Sequence, residues 1–256
     1  MGLLGFNRDK ADTADRAADE AAGQVKAVAA GTALERGAAS AAGDEGGLSG
    51  AATKLIERLL DVGIDGRGPF DSAETVAANA LKHSRGDVEQ AVTSIRRDHR
   101  QLGAVEGFVT GLGGFFTMPV SLPANILAFY LLGTRMTAAT AKVRGYDLKD
   151  PAIRSAILLT LVGADGDDIL KKAGLTAAGG KLSSVAFGRL PAPALMVLNK
   201  AVGFRLLGRI GGSAFTRLGR ALPVVGGVLG GGLDVYMLSR IGAQAAKEFP
   251  LKSAGL

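Results

Sequence analysis

Apolar positions recur with a helical rhythm over most of the chain. Across residues 54–60, Leu55, Ile56, Leu59 and Leu60 mark one face of a helix. Gly63 and the GRGP run at 66–69 predict its end. Asp71 followed by Glu74 has the form of a capping box and predicts a helix that stops near Ser84. Gly86-Asp87 restarts the chain, with Gln90 three residues after the Asp cap, so two short polar helices and a tight turn are expected. Asp150-Pro151 predicts another start, because Pro at the first helical position lacks only an N–H that has no intrahelical partner. No stretch sustains a period of two, so no sheet is assigned. Residues 1–50 differ: they are rich in Ala, Gly and Asp, have few apolar anchors and end in GDEGGLSG. They predict a flexible or loosely docked tail ahead of a helical domain over 51–256.

Two segments break the alternation of apolar and charged positions. Residues 107–134 and 221–233 carry no charge. A membrane-spanning helix needs roughly 20 consecutive apolar residues, so only the first is long enough. Pro119 and Pro123 sit in its middle, and each removes a backbone donor and disfavours helix in the residue before it. Two half-length helices meeting at residues 118–123 are expected, as a re-entrant hairpin or a buried one. Glycine recurs every four residues at Gly103, Gly107 and Gly111, and again at Gly226 with Gly230 and Gly227 with Gly231. On a helix that spacing makes a groove for close backbone approach, a feature favoured between helices in membranes. Each such glycine costs about 1 kcal/mol of helix propensity relative to Ala, so tight packing has to compensate. The expected class is therefore all-α, a multi-helix domain with glycine-rich, closely packed apolar hairpins.

Composition narrows the chemistry. The chain has 256 residues and 47% hydrophobic content, enough for a sizeable core. It has no Cys, which excludes disulfides and thiol chemistry and fits a reducing compartment. No cationic start followed by an apolar run marks a signal peptide, and Phe6 stands where myristoylation wants Ser or Thr, so a cytoplasmic location is expected. The net charge is +6. Its distribution matters more: residues 169–233 hold no Asp or Glu, yet carry Lys171, Lys172, Lys181, Arg189, Lys200, Arg205, Arg209, Arg217 and Arg220. A block of one sign favours an anionic partner such as phospholipid headgroups, although the same charges also suit a solvated helix face.

Catalytic motifs are incomplete. GGKLS at 179–183 lacks the first Gly and the Ser/Thr of a phosphate-binding loop, GLG at 111–113 lacks the third glycine of a dinucleotide fingerprint, and GGSAF at 211–215 lacks the last Gly of a nucleophile elbow. His83 and His99 are isolated on helices that look exposed, and Asp165, Asp167 and Asp168 suit a helix start as well as a cation. Neither cofactor nor metal is expected, and no catalytic residue is assigned. The polar residues set against apolar segments are Asn125, Arg135, Asp147 and Asp234. Asp234, flanked by Gly232-Leu and Val-Tyr, is expected to pair with an Arg or to be functional.

Four motifs in order carry a resemblance: GFVTGLGG at 107–114, Met118-Pro with LPAN ending at Asn125, RGYD at 144–147, and ALPVVGGVLGGGLD at 221–234. Together with IGAQAAKEF at 241–249, the chain from about 51 to 249 resembles the EcsC family. Asn125 departs from it, since Asp often stands there, which puts an acidic role at that position in doubt. Members of that family have no established activity; its name comes from a gene beside an ABC exporter, which implies an association with exporters, secretion or membranes.

The function expected from all this is a non-enzymatic accessory or lipid-binding protein at the inner face of the cell membrane, peripheral or partly inserted. Its partners would be the membrane surface or anionic lipid, or a membrane protein, and not nucleic acid. Phe115, Phe116, Phe129 and Tyr130 are expected at the interface. Candidate binding or structural positions are Gly107, Gly111, Pro119, Pro123, Asn125, Arg135, Asp147, Arg205, Arg209, Gly227, Gly231 and Asp234. Two alternatives stand beside this: a soluble helical protein that binds another protein or an apolar ligand, and an enzyme using Asp147, Asp234 and Arg135.

Overall fold

The computed structural model describes the backbone of residues 47–67, 71–112, 114–163, 166, 169, 192–211 and 223–252, and the side chains of all of these but 48, 105–125, 209–211 and 223–230. Among the described residues there are seven α-helices and no strand, so the chain is all-α, as expected. They are α1 (Gly47–Arg58), which passes into a π-helical turn (Leu59–Ile64), then α2 (Ala73–His83), α3 (Val88–Leu112), α4 (Gly114–Val143), α5 (Pro151–Val162), α6 (Ala192–Gly211) and α7 (Pro223–Glu248).

The starts follow local chemistry. The Asp150 carboxylate accepts from Ala152 N at 2.8 Å, with Pro151 at the first helical position. Asp87 accepts from Gln90 N at 2.9 Å. Ser72, rather than Asp71, caps α2: its hydroxyl accepts from Thr75 N at 3.1 Å. Three further expectations are corrected. Gly63 does not end the first helix; it lies within the π turn, because Thr134 of α4 fills the space where a side chain would stand, 2.8 Å from an ideal Cβ. The second short helix is instead the start of α3, which runs on through Gly103 and Gly107. Residues 47–50, part of the GDEGGLSG run, form the first turn of α1; the rest of the tail, 1–46, lies outside the described residues.

The largest correction concerns the hairpin. The chain reverses between Leu112 and Gly114, and α4 continues through both Pro119 and Pro123. Each proline removes one helix hydrogen bond, but both fall in the first three turns. The rest of α4 is enclosed on every side, which holds the helix where propensity alone would break it. A helix apolar all round has to be buried. Accordingly Leu127, Phe129, Tyr130, Leu131, Leu132, Met136, Ala138, Ala139 and Ala141 are all in the core. Gly133 packs against Ile241 of α7 and Leu161 of α5, and Met136 reaches Gly242 of α7. Two buried hydroxyls on this helix are satisfied internally: Thr134 and Thr140 donate to the carbonyls of Tyr130 and Met136 at 2.7 and 2.8 Å, whereas the buried Thr137 hydroxyl has no hydrogen-bond partner.

Arg144, just past α4, ties three helices together at one end. It donates to the carbonyls of Ala246 and Phe249 at 2.7 and 2.9 Å, and to both carboxylate oxygens of Glu89 at 2.8 and 2.9 Å. Tyr146 stacks edge-on against Phe249, with ring centroids 5.2 Å apart. Gly145 between them has φ +88°, a conformation that L side chains rarely adopt.

Candidate functional site

Arg144 fixes the directions of α3, α4 and α7. Its contacts join the start of α3, the end of α4 and the end of α7. α3 is therefore antiparallel to both others, and the opposite pole collects Leu112, Gly114 and Pro223. Among the described residues, the parts of these three helices that reach that pole are uncharged: 107–112 of α3, 114–125 of α4 and 223–233 of α7. Charge resumes at Glu106 on α3 and Asp234 on α7. The charge-free cap is therefore about 9 Å deep on α3 and about 16 Å on α7, at 1.5 Å per residue. Phe108, Phe115 and Phe116 belong to it.

α3 and α7 share the most extensive helix–helix contact. Arg96 lies against Gly242, and an ideal Cβ on Gly103 would strike Leu238 and stand 3.9 Å from the Cβ of Asp234. Carried along the two helices in steps of four, this antiparallel register sets Gly107 beside Gly231 and Gly111 beside Gly227. Continued unchanged, that register would bring the two glycine rows together toward the uncharged pole; Gly231 is buried.

Below the pole lies a pair that the sequence did not suggest. His99 is not a surface histidine; it is buried in the core. Its Nδ1 lies 2.8 Å from the Ile95 carbonyl. A carbonyl only accepts, which assigns the proton to Nδ1 and leaves Nε2 as an acceptor; Nε2 has no hydrogen-bond partner. Burial, and then the charge of Arg135, push the imidazole down to about 3, against the upward pull of the Ile95 carbonyl. His99 is therefore neutral at physiological pH. Arg135 itself is buried on α4.

The other candidates are scattered. The Asp147 carboxylate is exposed and accepts from Lys149 N at 2.9 Å, which makes it a turn former at the Arg144 end. Asp234 is half-buried about midway along α7, about 20 Å of helix from its end. The structure therefore does not bring Asp147 and Asp234 together. Phe129 and Tyr130, expected at an interface, instead form an edge-to-face pair in the core with centroids 5.4 Å apart. Arg205 is exposed on α6, beside a face that also exposes Met196, Val197 and Phe204. Pro119, Pro123, Asn125 and Arg209 lie on helices, but their side chains are outside those described, as are Lys171, Lys172, Lys181, Arg189, Arg217 and Arg220 of the basic block and Asp165, Asp167 and Asp168. Among the described residues no cluster of three or more His, Asp or Glu could hold a metal, and no helix is long and apolar enough to cross a membrane.

Comparison with family models, with curated proteins and with solved structures gives no match.

Proposed function

We propose that this chain is a non-enzymatic membrane-associated accessory or lipid-binding protein, and that it dips the uncharged pole of α3, α4 and α7 into one leaflet of an anionic membrane. One observation carries this: the consecutive helices α3 and α4 and the distant α7 bring their charge-free ends to the same pole, and charge resumes on α3 and α7 at nearly one level. The bilayer hydrocarbon is about 30 Å thick, so a cap of roughly 9–16 Å suits half of it and not a crossing. Each Phe moved from water into lipid contributes about 1.5–3 kcal/mol, and each nearby Lys or Arg adds about 1 kcal/mol at an anionic surface. The acid-free block over 169–233 supplies such cations, with Lys200 and Arg205 exposed on α6. The inner face of the cell membrane, with an exporter or secretion partner, is the setting that the likeness to EcsC proteins suits.

The chain has no Trp, so Phe116→Trp introduces a single reporter. Its emission should shift to the blue on adding phosphatidylglycerol vesicles, while Phe129→Trp in the core should not respond. An unchanged spectrum of the Phe116→Trp variant at every lipid concentration would sink the reading. A second reading, a soluble protein that binds an apolar ligand or another protein, is favoured by the burial of residues 127–134 within the bundle. It expects no vesicle response from either reporter.

A further inference from the structure

We infer that the outer face of α7 lies against the lipid headgroups, with Tyr236 and Arg240 marking the level at which the membrane surface meets the bundle. This rests on the insertion of the uncharged pole proposed above. The outer face is defined by the exposed positions Gly232, Leu233, Tyr236, Arg240, Ala243 and Lys247. Read outward from the pole, it changes from apolar to Tyr and then to cations. Leu233 is 40% exposed and Tyr236 58%, an unusual amount for side chains of that size. The Arg240 guanidinium lies 6.0 Å from the centre of the Tyr236 ring, and its Nη1 donates to the Tyr hydroxyl at 3.3 Å. No acid interrupts this face: Asp234 and Glu248 are half-buried, with Asp234 turned toward Gly103 of α3.

The axial distances fit a single leaflet. From Pro223 to Tyr236 is about 20 Å of helix, and Arg240 lies about 6 Å further on. Half the hydrocarbon is about 15 Å, and the headgroup layer beyond it adds about 5–7 Å. With the start of α7 at the bilayer midplane, Tyr236 falls among the headgroups, where amphipathic rings concentrate. Arg240 then stands about 4 Å beyond that layer, and its long side chain reaches back toward the phosphates. A guanidinium matches a phosphate with two parallel N–H donors, so the occupant of this face is an anionic phospholipid bilayer.

The test uses the full chain, with Tyr236→Trp as a surface reporter and Phe116→Trp as a pole reporter, each in a separate variant. Both are mixed with phosphatidylcholine–phosphatidylglycerol vesicles carrying quenchers either at the headgroup or deep in the acyl chains. The surface reporter should be quenched from the headgroup level and the pole reporter from the deep position. Arg240→Gln should weaken partitioning to the anionic vesicles about fivefold, the equivalent of about 1 kcal/mol, and leave binding to pure phosphatidylcholine unchanged. Tyr236 and Arg240 are exposed, so these variants should keep the parent's circular dichroism and melting. If the pole reporter is quenched and the surface reporter is not, the placement of α7 is wrong and insertion of the pole survives. Silence from both reporters overturns both. Deeper quenching of the surface reporter than of the pole reporter overturns the assigned depth.

Discussion

Acid should destabilise the fold through one residue, His99. In an unfolded chain its imidazole titrates near 6.5; in the folded protein, burial and the Arg135 charge hold it down to about 3. Below pH 6.5 the unfolded state therefore binds a proton that the folded state refuses, and stability falls with pH. The contribution is fully present above about 6.5 and is lost progressively toward 3. Linkage gives a loss of about 2 kcal/mol by pH 5, with a limiting slope of about 1.4 kcal/mol per pH unit. Urea unfolding followed by circular dichroism at pH 7.5, 6 and 5 measures it. His99→Leu removes the titrating group, and its curve should lose about 2 kcal/mol less than the parent between pH 7.5 and 5. Carboxylates act alike in both proteins and cancel in the difference. Parallel pH curves for parent and variant would refute the reasoning, because they would mean that His99 is charged or solvated in the fold.

Three further outcomes follow from packing. Gly203→Ala should cost about 1–3 kcal/mol, because its Cβ would stand 2.8 Å from the Ala52 carbonyl oxygen and push α1 from α6, whereas Gly208→Ala, with nothing within 4 Å, should stabilise by up to about 1 kcal/mol; thermal melts of the pair decide it. Arg144→Met should cost about 2–4 kcal/mol, since it strands carbonyls at the end of α7, but Glu89→Gln, at an exposed carboxylate, should cost under about 1 kcal/mol in the same urea titration. Gly111→Leu should destabilise by about 1–3 kcal/mol if Gly111 faces Gly227 as the register sets it, and a parent-like melt would show that the two glycine rows do not meet.

The sequence made the helical class, the caps at Asp87 and Asp150 and the uncharged segments legible, because each is set within a few residues. What it hid depends on contacts between distant segments. Pro119 and Pro123 predict a break by local rules, yet α4 continues because its later turns are enclosed by α5, α7 and the π turn. His99 looks like a surface residue when read alone. Val88, Val92, Ile95 and Leu102 share its stripe at helical spacing, and that stripe was the available signal. The RGYD run draws notice for Asp147, whereas its work is done by Arg144, whose partners are 55 to 105 residues away in the chain. The meeting of three charge-free ends at one pole needed helix directions, which no single segment encodes.

The partnership of α3 with α7 also sets an order of events at the ribosome. The face of α3 that carries Arg96 and Gly103 is completed by α7. Some 110 residues separate the end of α3 from the start of α7. At roughly 5–20 residues per second, that interval leaves the face uncovered for about 5–20 s during synthesis. A nascent chain stalled before Pro223 presents a glycine-notched helix without its cover, a surface on which a chaperone or the bilayer itself can act before the fold closes.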